Sequence, residues 1–496
     1  MKAIYLMFDS LRYNMLPCFG GDVANLPNFQ RLAAHTVAFD RSYAGSLPCM
    51  PARRELHTGR LNFLHRSWGP IEPFDVSMPE ILKKNGIHSA LITDHYHYVQ
   101  DGGATYHGRY SSWQCFRGQE SDAWIADLTA APDTSHAMSL DQLPPFLKAM
   151  RTNGVSRNAV NRRYRGDEEV HYSQTQTFAA GMEFMERNAK ADNWFLHLEV
   201  FDPHEPFDSP KALRPAQDRS EQDWPPYAKV TESPQQVAAM RQKYFTLLEY
   251  CDLNLGRFLD TMDRLDLWQD TLLMVGTDHG FLLAEHDWWG KNTMPDYDEI
   301  VHTPLFIWDP RCKKQGEHRS ALVQTIDICP TVLDFFGLPI PAEVQGKVLK
   351  EAIAGDTPVR ECCLFGYFGG PIGITDGRWV YLRAPEDESV PMLEYSLMPT
   401  KIMMFAPKAD LQKATLHAPF SFTQGMPVLC YPGADSHKME EGTYLLFDLQ
   451  NDPKQQTPLQ DEAQVQRLAQ AMRCLMIENE APAALFDRFG FARPAR

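Results

Sequence analysis

CMPARRELHTGR is the sequence of residues 49–60. Its cysteine, Cys49, lies beside Arg53 and Arg54, and nearby cations favour a thiolate nucleophile. A phosphatase loop built on a cysteine needs an arginine six positions further on. Glu55 stands at that position, which excludes this class. The remaining interpretation of the segment alone is a buried structural cysteine before a helix, because free cysteines are commonly buried.

The length and charge of the chain limit its organisation and its partners. It has 496 residues, enough for one large domain with an appendage or for two domains. The formal net charge is −16, and no cluster of Lys and Arg offsets it. This excludes a nucleic-acid surface and disfavours an anionic membrane. A local basic pocket can still bind a small anionic ester, which is the substrate class we expect.

The sequence also indicates a compartment. The first eight residues, MKAIYLMF, lack the extended apolar stretch and the cleavage site of a secretory leader. No apolar run approaches the length of a membrane-spanning helix. The ten cysteines are scattered, without C-x-x-C spacing or a compact disulfide framework. We therefore expect a cytoplasmic protein, or a periplasmic one if a leader was removed.

Four apolar stretches predict buried strands in a βαβα order, at residues 1–8, 87–93, 194–201 and 271–276. Open α/β sheets bind their ligands at the carboxyl ends of such strands. Polar residues that could bind a metal ion or take part in catalysis follow all four stretches. In chain order they are Asp9, Ser10, His95, His97, His204, Asp278 and His279. Alternation along an extended segment would point His95 and His97 to the same side. The pattern predicts one site formed by these strand ends.

The last quarter of the chain has a different pattern. Residues 374–382 predict a hairpin with a D-G turn, and residues 444–449 predict its partner strand. A helix at about 463–476 would cover that sheet. We predict a catalytic domain at residues 1–370 and a C-terminal subdomain at residues 371–496.

Two segments carry no clear pattern. We interpret residues 98–170 as an insertion that shapes the substrate pocket. Residues 391–438 are rich in Met, Phe and Pro and are either a pocket wall or a subunit arm.

Several segments resemble type I, formylglycine-dependent sulfatases of the alkaline phosphatase superfamily. Residues 49–60 contain a C-x-P-x-R core and a downstream T-G, the signature that marks a cysteine for oxidation to formylglycine. P-H-x-P-F at 203–207, D-H-G at 278–280 and W-G-K at 289–291 follow in the family order. D-x-x-P-T and D-L-x-x-D-P segments occur further on. The resemblance implies a large mixed, mostly parallel sheet sandwiched by helices, with a smaller C-terminal α+β subdomain that contains an antiparallel sheet.

The resemblance also implies a metal-dependent sulfatase that cleaves a sulfate ester, such as that of a sulfated sugar. The catalytic residues would be Cys49, Arg53, His97, His204 and Lys291. The metal ligands would be Asp9, Cys49, Asp278 and His279, with Ser10 in the place of a usual second acid or amide. His95 would bind substrate, because it replaces the lysine of the family's G-K-W-H segment.

The resemblance further implies two cofactors and an enzyme partner. The cofactors are one divalent cation, calcium before magnesium or manganese, and the formylglycine at position 49. In the implied mechanism one hydroxyl of the hydrated aldehyde attacks sulfur, His204 and Lys291 assist the leaving alcohol, and His97 deprotonates the other hydroxyl. A formylglycine-generating enzyme is therefore an expected partner, and a homo-oligomer is left open.

Three residues depart from the commonest family pattern and leave alternatives open. They are Ser10, His95 and His279. Histidine at position 279 also occurs in phosphonate monoester hydrolases, so such a hydrolase or a phosphodiesterase on the same scaffold is one alternative. A non-catalytic anion- or metal-binding member, in which Cys49 is never oxidised, is the other.

Overall fold

The structure is a computed structural model, and it describes residues 1–141, 143, 145–216, 220–402, 404–435 and 438–494. Within these residues the α-helices are α1 (Pro27–His35), α2 (Cys49–Thr58), α3 (Met78–Lys84), α4 (Pro145–Arg165), α5 (Ser173–Asn188), α6 (Pro234–Arg264), α7 (Asp298–Val301), α8 (Ile328–Phe335), α9 (Lys350–Gly355), α10 (Lys408–Leu411), α11 (Glu462–Glu478) and α12 (Ala483–Arg488).

The strands within the same residues are β1 (Lys2–Phe8), β2 (Val37–Phe39), β3 (Ser42–Tyr43), β4 (Ser46–Leu47), β5 (His88–Thr93), β6 (Ser112–Cys115), β7 (Trp194–Val200), β8 (Thr271–Thr277), β9 (Leu282–Leu283), β10 (Trp289–Gly290), β11 (Leu305–Trp308), β12 (Glu317–Arg319), β13 (Val323–Gln324), β14 (Cys363–Tyr367), β15 (Ile372–Thr375), β16 (Trp379–Arg383), β17 (Leu393–Ser396), β18 (Thr400–Lys401), β19 (Met404–Phe405), β20 (Thr415–His417), β21 (Val428–Pro432) and β22 (Tyr444–Asp448).

Eight of these strands form the central sheet, in the order β12-β2-β11-β8-β1-β7-β5-β6. β1 is parallel to β7 and β8, β5 is parallel to β6 and β7, and β2 is parallel to β12. β11 is antiparallel to both of its neighbours. The predicted mixed, mostly parallel sheet is confirmed. Because β1, β5, β7 and β8 run in the same direction, their carboxyl ends meet at one edge of the sheet.

Strand β1 shows why the sheet has a helical layer on each face. Its side chains alternate between the two faces. Ile4, Leu6 and Phe8 pack in a cluster with residues of α1, α5 and α6. Ala3, Tyr5 and Met7 pack in a second cluster with residues of α2, α3 and α8. Each large apolar side chain buried in this way stabilises the fold by roughly 1.5–3 kcal/mol.

Helix α2 carries the cysteine motif and lies inside the molecule, with all ten of its residues buried. The helix ends at Gly59, which has φ 62° and donates its amide hydrogen to the Glu55 carbonyl oxygen. Glycine takes this left-handed conformation without a side-chain clash. Thr58 donates its hydroxyl hydrogen to the Arg54 carbonyl oxygen. The T-G pair of the motif therefore ends the helix.

The smaller sheet has the order β22-β16-β15-β14-β4. Its C-terminal strands are antiparallel, as predicted, and Leu468, Met472 and Met476 of α11 pack against it. Its edge strand β4 directly precedes the cysteine motif and pairs in parallel with β14. The domain boundary at residues 370 and 371 stays a prediction, since the small sheet takes two strands from the N-terminal side of that point.

The two segments without a clear sequence pattern contain regular structure. Residues 98–170 include β6 and the long helix α4, which the sequence analysis missed. The described part of residues 391–438 contains a three-stranded sheet, β17-β21-β20, and the antiparallel pair of strands β18 and β19. Among the described helices, none is both long enough and apolar enough to cross a bilayer.

Candidate active site

The site begins at the carboxyl end of β1. Asp9 is fully buried and follows the strand directly. Its Oδ1 accepts a hydrogen bond from the Ser10 hydroxyl at 2.7 Å, and its Oδ2 accepts one from Arg53 Nη2 at 2.8 Å. Burial alone would raise the pKa of Asp9, but the charges of Arg53 and Lys291 outweigh it and hold that pKa well below its ordinary value.

A second carboxylate follows the neighbouring strand β8. Asp278 Oδ1 accepts hydrogen bonds from the backbone amides of Ser10 at 3.1 Å and His279 at 2.8 Å, and Oδ2 accepts one from Arg53. Burial and the charge of Asp9 raise the pKa of Asp278, although Arg53 acts against them. Two buried carboxylates that converge in this way are stabilised by a bound cation.

Cys49 lies at the first turn of α2, opposite these strand ends. Its Sγ is 3.4 Å from His279 Nε2 and 3.7 Å from Lys291 Nζ. Burial and the charge of Asp9 raise the pKa of the thiol well above its ordinary value. The thiolate suggested by the neighbouring arginines is therefore disfavoured in this environment.

Arg53 lies one helical turn after Cys49 and holds the acidic groups together. It donates to Asp9, to Asp278, to Glu199 Oε1 from Nε at 2.8 Å, and to the Cys49 carbonyl oxygen at 3.0 Å. All of these side chains are buried. A guanidinium keeps its charge and matches carboxylates in a planar geometry. Arg53 thus fixes the positions of three carboxylates at once.

Glu199 is a site residue that the sequence analysis missed. It is the penultimate residue of β7 and is fully buried. Its second oxygen accepts a hydrogen bond from Thr93 Oγ1 at 3.2 Å. The available signal was a charged residue within an otherwise apolar interior strand, because buried acids usually have a specific partner.

The positively charged ammonium group of Lys291 also lies beside Cys49. Its Nζ donates to Ser10 Oγ at 2.9 Å and lies 3.7 Å from Asp9 Oδ1. Tyr367 of β14, also missed from the sequence, donates its hydroxyl hydrogen to the Lys291 carbonyl oxygen at 2.5 Å. Burial alone would lower the pKa of Lys291, but the surrounding acidic groups outweigh it and raise that pKa.

Three histidines complete the group of predicted residues. His95 is fully buried, its two ring nitrogens have no hydrogen-bond partner among the described residues, and its Nδ1 lies 3.7 Å from Asp9 Oδ2. The His97 ring is 5.0 Å from the His95 ring, and its Nδ1 lies 2.6 Å from Gln100 Oε1. His204 donates from Nδ1 to the Glu205 carbonyl oxygen at 2.6 Å. Burial lowers the pKa of all three imidazoles.

The local geometry of the His95 segment differs from the expectation. Residues Tyr96–Val99 form a 3₁₀ turn that begins directly after His95, instead of an extended segment with alternating sides. The two rings still adjoin, because a tight turn also brings residues two apart close together. The structure places all the sequence-predicted side chains in or beside one buried cluster, and their individual roles stay predictions.

Four predicted ligands lie close enough to hold a single metal ion. One candidate ligand atom each from Asp9, Cys49, Asp278 and His279 lies within 4.8 Å of the others. His279 Nδ1 donates to the Gly280 carbonyl oxygen at 2.9 Å, which leaves Nε2 as the ligand nitrogen. Metal-binding histidines typically donate the hydrogen of their other ring nitrogen in this way. Ser10 lies between Asp9 and Lys291, with its hydroxyl engaged by both. The donor set fits one divalent cation.

The fold is a mixed α/β fold, and its site has a nucleophile position enclosed by carboxylates and basic side chains, an arrangement suited to an anionic ester. The family model described as Sulfatase matches residues 2–338, and the chain belongs to the sulfatase family. It is therefore a sulfuric ester hydrolase, as the sequence analysis predicted, and its family implies a divalent metal and a formylglycine.

Two curated relatives support this assignment. An N-acetylglucosamine-6-O-sulfatase of Bacteroides thetaiotaomicron is 26% identical over 422 residues, covering 75% of this chain and 74% of the relative. An arylsulfatase of Clostridium perfringens is 23% identical over 394 residues, covering 71% of this chain and 78% of the relative.

Solved structures share the fold over almost the whole chain. One is a protein in complex with its substrate D-glucosamine-2-N,6-O-disulfate, with a TM-score of 0.66 and 14% identity, covering 96% of this chain and 98% of the other. Another is the phosphonate monoester hydrolase of Agrobacterium radiobacter, with a TM-score of 0.66 and 17% identity, covering 97% and 96%.

Proposed function

We propose that this sulfatase cleaves the sulfate ester of a sugar, with a formylglycine made from Cys49 and one divalent cation at Asp9, Asp278 and His279. The observation that carries the proposal is the position of Cys49 Sγ, within 4.8 Å of the ligand atoms of these residues and 3.7 Å from Lys291 Nζ. Two carboxylates supply the oxygen ligands that favour calcium, with magnesium and manganese as alternatives.

The two cofactors divide the chemistry between them. The cation, when bound, acts as a Lewis acid and lowers the pKa of a hydroxyl group beside it. Formylglycine, as its hydrate, offers two hydroxyl groups on one carbon where the thiol of Cys49 now lies. A formylglycine-generating enzyme is the partner that supplies this modification.

The basic residues of the chain bind and orient the sulfate. Lys291 presents its ammonium group to Ser10 and to Cys49 Sγ, so the same group can reach sulfate oxygens beside the nucleophile. Arg53 holds Asp9 and Asp278 in fixed positions. His95 supplies ring nitrogens that have no partner among the described residues and that lie beside Asp9. Preorganised donors of this kind stabilise developing negative charge.

Two histidines transfer protons in the proposed reaction. His204 has its Nδ1 hydrogen committed to the Glu205 carbonyl oxygen, which leaves Nε2 as the nitrogen that can take up a second proton and pass it to the leaving alcohol oxygen. His97 accepts the proton that must leave the second hydroxyl group at position 49. Burial lowers the pKa of each imidazole, which keeps His97 neutral and able to accept a proton. The negative charge of the bound sulfate ester favours the protonated form of His204 that donates.

A substrate panel tests this proposal. It contains N-acetylglucosamine-6-sulfate, other sulfated monosaccharides, an aryl sulfate and an aryl phosphonate monoester, each compared by kcat/KM. We expect a sulfated sugar to be the best substrate, consistent with the relative named as an N-acetylglucosamine-6-O-sulfatase. The intact mass of the Cys49 peptide from the native host should show the change from thiol to aldehyde. An unmodified thiol would favour a non-catalytic binding protein instead.

A second candidate is a phosphonate monoester hydrolase. His279 favours it, because its Nε2 lies 3.4 Å from Cys49 Sγ at the position where many sulfatases have asparagine. A clear preference for the phosphonate ester in the same panel would replace the first proposal by this one.

A further inference from the structure

Glu205 is a buried acidic residue beside the reacting groups that the proposed mechanism does not use. It lies between His204 and Pro206 and has no exposed surface. Neither of its carboxyl oxygens has a hydrogen-bond partner among the described residues. Its Oε2 lies 3.9 Å from Lys291 Nζ and 3.2 Å from His204 Nδ1, whose hydrogen is donated to the Glu205 backbone carbonyl oxygen instead.

A structural ion pair with Lys291 does not explain this carboxyl group. The Lys291 ammonium group donates to Ser10 Oγ at 2.9 Å and lies nearer to Cys49 Sγ than to Glu205. Burying a carboxyl group without donors is unfavourable. Burial accordingly raises the pKa of Glu205 to about 8, against the opposing charge of Lys291. A polar group of a bound ligand would relieve this cost.

Two charged groups near Glu205 belong to the 98–170 insertion. The charges of Glu120 and Arg151 both act on Glu205. Arg151 Nη1 lies 3.7 Å from Glu120 Oε1, and its guanidinium lies over the rings of Trp224 and Tyr227, at 4.5 and 4.8 Å. Glu205 is therefore close both to Lys291, beside the nucleophile position, and to two charged groups of the insertion.

We propose that Glu205 is a specificity-determining residue, at the base of a leaving-group subsite that Glu120 and Arg151 border. It accepts a hydrogen bond from a hydroxyl or ammonium group on the carbon next to the ester carbon. The spacing supports this, because Lys291 Nζ lies within 4 Å of both Cys49 Sγ and Glu205 Oε2. The inference rests on the proposed function, since it assumes that Lys291 binds the sulfate group.

Three sulfate esters of one shape test the subsite: cyclohexyl sulfate, trans-2-hydroxycyclohexyl sulfate and trans-2-aminocyclohexyl sulfate. The binding of each ester is measured with the full-length Cys49→Ala protein. The kcat/KM of each ester is measured with the wild-type enzyme. We expect a vicinal donor to improve binding by about tenfold, the effect of one hydrogen bond to a buried carboxyl group that otherwise has no donor. A stronger effect of the hydroxyl indicates a polyol leaving group, and a stronger effect of the ammonium indicates an amino alcohol.

Two substitutions at Glu205 locate the effect. Glu205→Ala should remove the preference for a vicinal donor. Glu205→Gln, which keeps the shape and one acceptor oxygen, should keep part of the hydroxyl preference and lose the ammonium preference. Glu183→Gln on the surface of α5 is the matched control, and it should leave both ratios unchanged.

Equal binding of the three esters to the Cys49→Ala protein would overturn the inference, as would a donor preference that persists in Glu205→Gln for both groups. These results differ from failure of the proposed function. If no ester is hydrolysed but the binding preference is present, the proposed function is wrong for these esters and the subsite inference is supported. If all are hydrolysed without a preference in binding, the subsite fails and the function stands.

Discussion

The nucleophile side and the leaving-group side of the active site are built in different ways. On the nucleophile side, Asp9 and Asp278 follow neighbouring parallel strands, so the backbone of the sheet sets their separation. On the leaving-group side, Glu120 and Arg151 come from the 98–170 insertion. The residues of the first arrangement lie in segments that resemble the family, whereas Glu120 and Arg151 lie in a segment without a clear sequence pattern. The family-like segments therefore supply the reacting groups, and the insertion supplies part of the wall that we propose borders the leaving group.

The largest effect is expected at the nucleophile. Cys49→Ala should reduce kcat by at least about a thousandfold, because no other group can supply the covalent step. Turnover of the best sulfate ester measures this, and circular dichroism checks the fold. Cys329→Ala is the matched control, since Cys329 is also buried but lies on α8, with its Sγ against the His57 carbonyl oxygen at the end of α2 opposite Cys49. Full activity of the Cys49 variant would contradict the covalent mechanism.

Much of the fold and of the nucleophile side could be predicted from the sequence. Strongly apolar strands such as β8, and motif residues at their ends such as Asp278, carry the signal in consecutive residues. Glu199 was missed because its role depends on Arg53, which is 146 positions away and contacts it only where helix α2 packs against the sheet. Helix α4 was missed because its sequence is mostly polar and contains Gly154, so it lacks a clear apolar stripe.

Glu199→Gln tests how far the nucleophile side depends on a partner outside the motif. The amide can still accept from Arg53 but loses the charge, so we expect kcat to fall by about tenfold, as for other residues that orient a first ligand. KM should change little, because the substrate does not contact Glu199. Thr93→Val, which removes the weaker contact to the other oxygen, should have a smaller effect. Unchanged kcat in Glu199→Gln would show that the aspartates alone position Arg53.

Arg151→Gln tests the leaving-group side. The guanidinium stacks on Trp224 and Tyr227, so its loss should loosen that wall. We expect KM for a sulfated sugar to rise by about five- to tenfold and kcat to change less, because the interaction lost is made in the ground state as well. Arg157→Gln on the exposed face of the same helix is the control. If the two variants behave alike, α4 does not contribute to substrate binding.

The smallest effect is expected from a comparison of two buried carboxyl groups, Glu55 and Glu205, of which only Glu55 has hydrogen-bond donors in the described protein. Burial raises the pKa of both Glu55 and Glu205 to about 8. Unlike Glu205, Glu55 has protein donors: the Ser46 amide at 2.5 Å and the Thr325 hydroxyl at 2.8 Å. A polar substrate is therefore not needed to satisfy Glu55, and its substitution should change stability and not specificity.

The sign of the Glu55 effect follows from its pKa, which is 4.5 ordinarily and about 8 in the folded protein. Below pH 4.5 both states are protonated, and the preference of the folded state for the protonated form contributes fully to stability. That contribution is lost as the pH rises through 8. Glu55→Gln cannot ionise, so its melting temperature relative to wild type should be higher at pH 9 than at pH 5, by roughly 3–5 °C. Thermal unfolding at both pH values measures the difference, with Glu183→Gln as the control. A difference that does not change with pH would mean that Glu55 is ionised in the folded protein, held as a carboxylate by its two donors.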